Sequence, residues 1–196
     1  VEDFVELYHK GTSTKELLNH GKEIGVLDNK ELKHPSLKYF SPPDRNQLKE
    51  KKIEFVWYGY FHNWIPQENF YYASKNYNFD VNPLGRSEGT YNKYASLDDA
   101  TDPLHYYLSY IKFGIGRATS DAAHEIRDGH ITREEGIQLV EKFDHEIPSN
   151  SMQTTLDYLN ISEENLSQIT DAFRDRNNNL WRKTNEDWEL KHAVYK

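Results

Sequence analysis

The sequence predicts a helix-rich α/β chain, and three observations carry that prediction. Amphipathic segments bounded by capping and glycine signals recur along the chain. One β-branched and aromatic run, Ile53 to Phe61, reads as a strand. The tail from Leu180 to Val194 alternates as a small terminal β-hairpin does.

Residues 1–34 read as two short helical pieces, with Ser13 and Glu16 spaced as a capping box and Gly21 as a stop. Pro42-Pro43-Asp44 breaks the chain and opens a short helix over 44–51. The run 53–61 is apolar on both faces, as a strand inside a parallel sheet is, so its partners are weak strands elsewhere or strands missing from this chain. Phe70, Ala73 and Tyr77 are at helical spacing within 66–77, and residues 78–102 form a long polar loop.

Leu104, Tyr107, Leu108 and Ile111 stripe the next helix, and Ala118, Ala122 and Ile126 the one after, which Gly129 ends. Thr132 and Glu135 cap a helix carrying Ile137, Val140 and Phe143. Met152–Leu159 and Glu163–Phe173, the latter with Ser162 as N-cap, complete the helices. Trp188, Leu190 and Val194 are expected on one face of the hairpin.

A net charge of −8 argues against a general nucleic-acid binder, which carries a basic surface. With no cysteine, neither a disulfide nor a thiolate metal site can form within the chain. The nine histidines show no metal-binding spacing. No apolar run is long enough to span a membrane, and a cytoplasmic location is expected.

Three stretches could carry chemistry. Arg117, Arg127 and Arg133 are on or beside a helical hairpin whose starts near Thr119 and Thr132 offer backbone N–H groups to an anion. The bland alternative pairs these arginines with Asp121, Glu125, Asp128, Glu134 or Glu135. The loop Gly85 to Tyr91 sets Arg86 and Glu88 beside an aromatic, which suits a polyhydroxylated ligand or a solvated turn. His62 and Trp64 follow the expected strand, where ligands of open α/β sheets collect, or else they are structural.

Residues 37–192 resemble the carboxyl-terminal half of the bacterial N-acetyl sugar amidotransferases, the WbpG-type proteins of lipopolysaccharide and flagellin-glycan biosynthesis. The matching pieces are Tyr-Gly-Tyr-Phe at 58–61 with Trp64, Ser-Glu-Gly-Thr-Tyr at 87–91 and Lys112-Phe113-Gly114. Gly116-Arg117-Ala118-Thr119, Asp121-Ala122, Ile126-Arg127-Asp128-Gly129 and Ile131 to Gly136 follow in order, then Leu139-Val140 and Asp144.

The resemblance implies the carboxyl-terminal part of an adenine-nucleotide α-hydrolase-like (ATP-pyrophosphatase) fold. It implies a helical lead-in over 1–35, the α/β amidotransferase part over 36–148, and a helical extension with the hairpin over 149–196. The implied reaction converts an acetamido sugar to an acetamidino sugar, with ATP and Mg2+ as cofactors of the full-length enzyme. A partner glutaminase would supply the ammonia and a sugar or nucleotide sugar would be the substrate.

The family's pyrophosphate loop, Ser-Gly-Gly-x-Asp-Ser, is absent, so the chain is expected to be a carboxyl-terminal fragment without activity of its own. Arg86, Glu88, Lys112, Arg117, Asp121 and Arg127 match family positions and are the binding candidates. The competing reading is a noncatalytic carbohydrate-binding or glutaminase-docking module.

Overall fold

A computed structural model describes residues 13–40, 44–54, 56–185 and 187–196. The chain falls into two compact units, Val1–His62 and Asn63–Lys196.

In the first unit, α1 (Thr14–Glu23) opens on the expected box: the Ser13 hydroxyl accepts from the Glu16 N–H at 3.2 Å, and the Glu16 carboxylate accepts from the Ser13 N–H at 2.8 Å. Gly21 does not stop this helix. It packs against Leu27, whose Cδ1 would lie 2.8 Å from an added Cβ, and Gly25, at φ +77°, makes the left-handed turn instead. Two 3-10 turns follow, Glu31–Lys33 and Pro35–Tyr39. Helix α2 (Arg45–Glu50) starts at Asp44, whose carboxylate accepts from the Asn46 and Gln47 N–H groups at 2.9 and 3.0 Å. The expected lead-in before residue 13 and the Pro42-Pro43 break lie outside the described residues.

The strand expected over 53–61 does not form. Ile53, Glu54, Val56 and Trp57 have no regular structure, Phe55 lies outside the described residues, and Tyr58–Phe61 is a single helical turn, α3. A strand needs a neighbour for its N–H and C=O groups, and the described residues of this unit contain none. The Ile53 N–H instead returns to the Leu48 carbonyl at 3.0 Å, closing the end of α2. Ile53 and Val56 are left more than half exposed, at 56% and 58%.

The second unit holds α4 (Pro66–Tyr77), a long loop, and then α5 (Asp102–Phe113), α6 (Arg117–Asp128), α7 (Arg133–Phe143), α8 (Met152–Leu159) and α9 (Glu163–Arg176). The tail is the expected hairpin: β1 (Trp181–Lys183) runs antiparallel to β2 (Trp188–Leu190), with Trp181 opposite Leu190. Val194 is not on its face. Strand β2 ends at Leu190, the chain turns, and Val194 is left half exposed.

Helix α5 organises the core from two sides. Tyr110 and Ile111 pack on Trp181 and Leu190, Leu104 packs on Leu156 and Leu166, and Tyr107 touches both groups. Each fully buried aliphatic side chain contributes about 1.5–3 kcal/mol. The Trp181 indole N–H donates to the Ile111 carbonyl at 2.8 Å, which fixes the hairpin to α5. Helices α6 and α7 approach closely because Gly136 has no side chain: a Cβ there would lie 2.8 Å from Ile126 Cδ1 and 3.5 Å from Ala122 Cβ. No helix of the described residues is long and apolar enough to cross a membrane.

Candidate functional site

Helix α6 buries Ala118 and Ala122 and turns the neighbouring stripe, about a quarter turn away, toward a cleft. Arg117, Asp121, Glu125 and Asp128 of that stripe form one wall of a cleft of about 350 Å³. Trp64 and Gln67, near the start of α4, and Asn92 and Tyr94 of the long loop form the other.

Asp121 fixes the geometry. One carboxylate oxygen accepts from Arg117 Nε at 2.8 Å; the other accepts from the Thr90 hydroxyl at 2.5 Å and the Asn92 amide at 3.2 Å. Thr90 is fully buried, so this carboxylate pins the loop to the helix. Arg117 also lies over the Tyr106 ring, 5.4 Å from its centroid. Only its Nε is engaged; Nη1 and Nη2 have no protein partner among the described residues, and the side chain is 36% exposed.

The other wall is built of aromatic and amide groups. Tyr94 stacks on Phe70, with centroids 4.5 Å apart, and donates its hydroxyl to Gln67 Oε1 at 3.0 Å. Burial, reinforced by the Glu125 and Asp121 carboxylates, pushes the Tyr94 phenol up to about 12. Burial also raises Glu125 above the ordinary glutamate range, with Asp121 and Asp128 adding to the effect against His130 and Tyr91. The Tyr91 hydroxyl is buried near Glu125 without forming a hydrogen bond of proper geometry.

Three carboxylates against one guanidinium make the cleft acidic. It suits a neutral polyhydroxylated ring, or a cation, better than a phosphate.

The amino ends of α6 and α7 are not free for an anion. Asp144, 3% exposed, accepts from the Gly116 N–H at 2.7 Å and from the Thr119 N–H and hydroxyl at 2.9 and 2.7 Å. Gly116 permits this approach, because a Cβ there would lie 2.7 Å from the carboxylate. The Thr132–Glu135 capping box closes α7. Arg133 at that end is exposed.

Residues 88–195, more than half of the chain, match the family model for the C-terminal domain of WbpG-like LPS biosynthesis proteins. The chain belongs to this family. No curated protein matches the chain.

Of the six binding candidates, the WbpG-like chain brings only Arg117 and Asp121 to the cleft. Arg127, exposed at the surface, bonds to His124 Nδ1 at 3.0 Å and so lies behind one residue of the cleft wall. Arg86 is consumed by structure: its two terminal nitrogens meet the two Glu146 oxygens, both at 2.6 Å, and its guanidinium lies over the Phe143 ring. Glu88 accepts from the Asn150 N–H at 2.9 Å and the Ser149 hydroxyl at 3.3 Å. Lys112 is exposed at the end of α5, over the Phe113 ring, and does not line the cleft.

Trp64 is on the cleft, whereas His62, in the first unit, stacks on Tyr58. The sequence reading missed Gln67, Asn92 and Tyr94 as site residues. Glu125, considered only as an ion-pair partner, had a usable signal, four residues beyond Asp121 on the same stripe.

The residues present do not fit Mg2+–ATP. The helix N-termini at the hairpin are already capped, the cleft is acidic, and no three His, Asp or Glu side chains of the described residues come together to hold a metal ion.

Proposed function

We propose that this chain is the carboxyl-terminal segment of an ATP-dependent amidotransferase. It converts an acetamido sugar to an acetamidino sugar for surface polysaccharide or flagellin glycan, and the α6 cleft holds the sugar. The observation that carries this reading is the open fork of Arg117, held by Asp121 at the mouth of an aromatic and amide-lined cleft.

Arg117 donates through its free nitrogens to an oxygen of the bound sugar, and Asn92 and Glu125 hydrogen-bond its hydroxyls. Trp64 and Tyr94 offer ring faces to the apolar face of the sugar. An amidine product is cationic, and the carboxylates of α6 favour it. ATP and Mg2+ bind outside this set of residues, and a glutaminase partner delivers the ammonia.

The test is kinetic. In the full-length enzyme, Arg117→Ala removes a charged hydrogen bond of about 1.5–3 kcal/mol, a ten- to hundredfold loss in kcat/KM for the sugar. The KM for ATP stays unchanged. Intact sugar turnover in that variant sinks the assignment. The isolated chain, given ATP, ammonia and acetamido sugar, should release no pyrophosphate.

A noncatalytic carbohydrate-binding role is the second reading, favoured by the same cleft. It predicts full sugar affinity in the isolated chain and no effect of Arg117→Ala on turnover by the full-length protein.

A further inference from the structure

A larger cavity, about 680 Å³, lies beside the terminal hairpin and is separate in its lining from the α6 cleft. Its volume is within the range of small-ligand sites, about 300–1,000 Å³. We propose that this hairpin cavity is a second binding site, for a neutral carbohydrate.

One wall is preorganised by a chain of hydrogen bonds. The Trp188 indole N–H donates to Asp171 Oδ1 at 2.9 Å, Arg174 Nη1 donates to the same oxygen at 3.2 Å, and Arg174 Nη2 donates to the Tyr107 hydroxyl at 3.1 Å. The Arg174 guanidinium in turn lies over the Trp181 ring, 5.3 Å from its centroid. Three aromatic residues, a carboxylate and a guanidinium are therefore held in fixed relation, with little ordering left for a ligand to impose.

This wall keeps an acceptor to spare. Both donors to Asp171 use Oδ1, the side chain is 45% exposed, and Oδ2 has no partner among the described residues. A carboxylate oxygen fixed beside half-buried tryptophan and tyrosine rings offers a sugar what it needs. It gives a strong acceptor for a hydroxyl and flat apolar faces for the C–H side of the ring.

Charge selects against the obvious competitor, a nucleotide. Four carboxylates and three lysine or arginine side chains line the cavity. Arg174 is bound to Asp171 and Lys196 to Glu189, which leaves Lys183, over the Trp188 ring at 5.1 Å. That lysine is exposed, so it can move off the ring or donate to a hydroxyl, but it cannot neutralise a polyphosphate alone.

The experiment uses the purified 196-residue chain and an array of neutral mono- to tetrasaccharides, followed by NMR titration with each sugar that binds. At least one sugar is expected to bind and to shift the Trp188 indole N–H resonance. Asp171→Asn, which keeps size and fold, should weaken that binding at least tenfold, and Trp188→Ala should abolish it. The proposal is overturned if no sugar binds, or if binding moves the Trp64 indole and leaves Trp188 still, which assigns the sugar to the α6 cleft. It also fails if ATP shifts the Trp188 resonance at lower concentration than any sugar.

Discussion

The amino end of α6 and its cleft-facing stripe are adjacent on one helix, and they treat their polar groups in different ways. At the end, Asp144 accepts three hydrogen bonds and is buried to 3%. Close by in the chain, Arg86 closes a two-pronged pair with Glu146, which also accepts from the Gly89 N–H at 3.0 Å. Along the stripe, Arg117 keeps two nitrogens without a partner among the described residues, and Glu125 is a partly desolvated carboxylate. Asp144 and Glu146 hold the loop and helices away from the cleft, Asp121 holds them from within its wall, and Arg117 and Glu125 face the cleft with capacity to spare. Charge and residue type do not separate the two, since both regions hold an arginine beside carboxylates.

Asp144→Ala tests the satisfied end most severely. It strands the Gly116 and Thr119 N–H groups, at about 1–3 kcal/mol for each buried donor. The expected loss is about 3 kcal/mol, or roughly 10 °C in Tm. A shift under a few degrees would show that water replaces the carboxylate and that this end is not sealed.

Arg86→Ala comes second, at about 2 kcal/mol, because Glu146 retains the Gly89 N–H while losing its charged partner. Its sugar affinity should remain unchanged in the folded protein. A selective loss of sugar binding without a lower Tm would return Arg86 to the ligand site and dissolve the contrast.

Much of this region was legible in the sequence because its signals are local. The capping boxes expected at Ser13 and Thr132 bind groups three residues away, and both form; Ser162, expected as an N-cap, forms a box with Asn165 as well. Gly129 ends α6 in the left-handed conformation for the same local reason.

The failures are long-range. The run 53–61 has the composition of a buried strand, but strand formation depends on a neighbour that the sequence of the run cannot specify. Asp144 caps a helix that begins 27 residues earlier, and Glu146 meets Arg86 across 60 positions. No spacing rule reaches that far, so both arginines read alike and the helix ends read as open.

Arg117→Ala is expected to cost about 1 kcal/mol. The loss combines an i,i+4 ion pair of about 0.3–0.5 kcal/mol with a partly exposed contact to the Tyr106 ring of about 0.5–1 kcal/mol. Tm should fall by about 2–4 °C, since Asp121 retains the Thr90 and Asn92 donors. A drop as large as that of Arg86→Ala would place Arg117 among the structural arginines, whatever its effect on turnover.

Glu125→Gln should have the smallest effect and the opposite sign. Burial raises the folded pKa of Glu125 above its unfolded value, so between those two values the folded state binds more protons than the unfolded state. Stability therefore falls as pH rises through that window, and the cost is fully present above it. Glutamine keeps the shape and removes the charge. The variant should match the wild type near pH 3, where the carboxyl is protonated in both states, and exceed it at pH 7 by no more than about 2 °C in Tm. Thermal melts at the two pH values decide the matter. If the variant is instead less stable at pH 7, the charged carboxylate is held by His130 and Tyr91 as a structural partner. Glu125 would then belong with Asp144, on the satisfied side of the contrast.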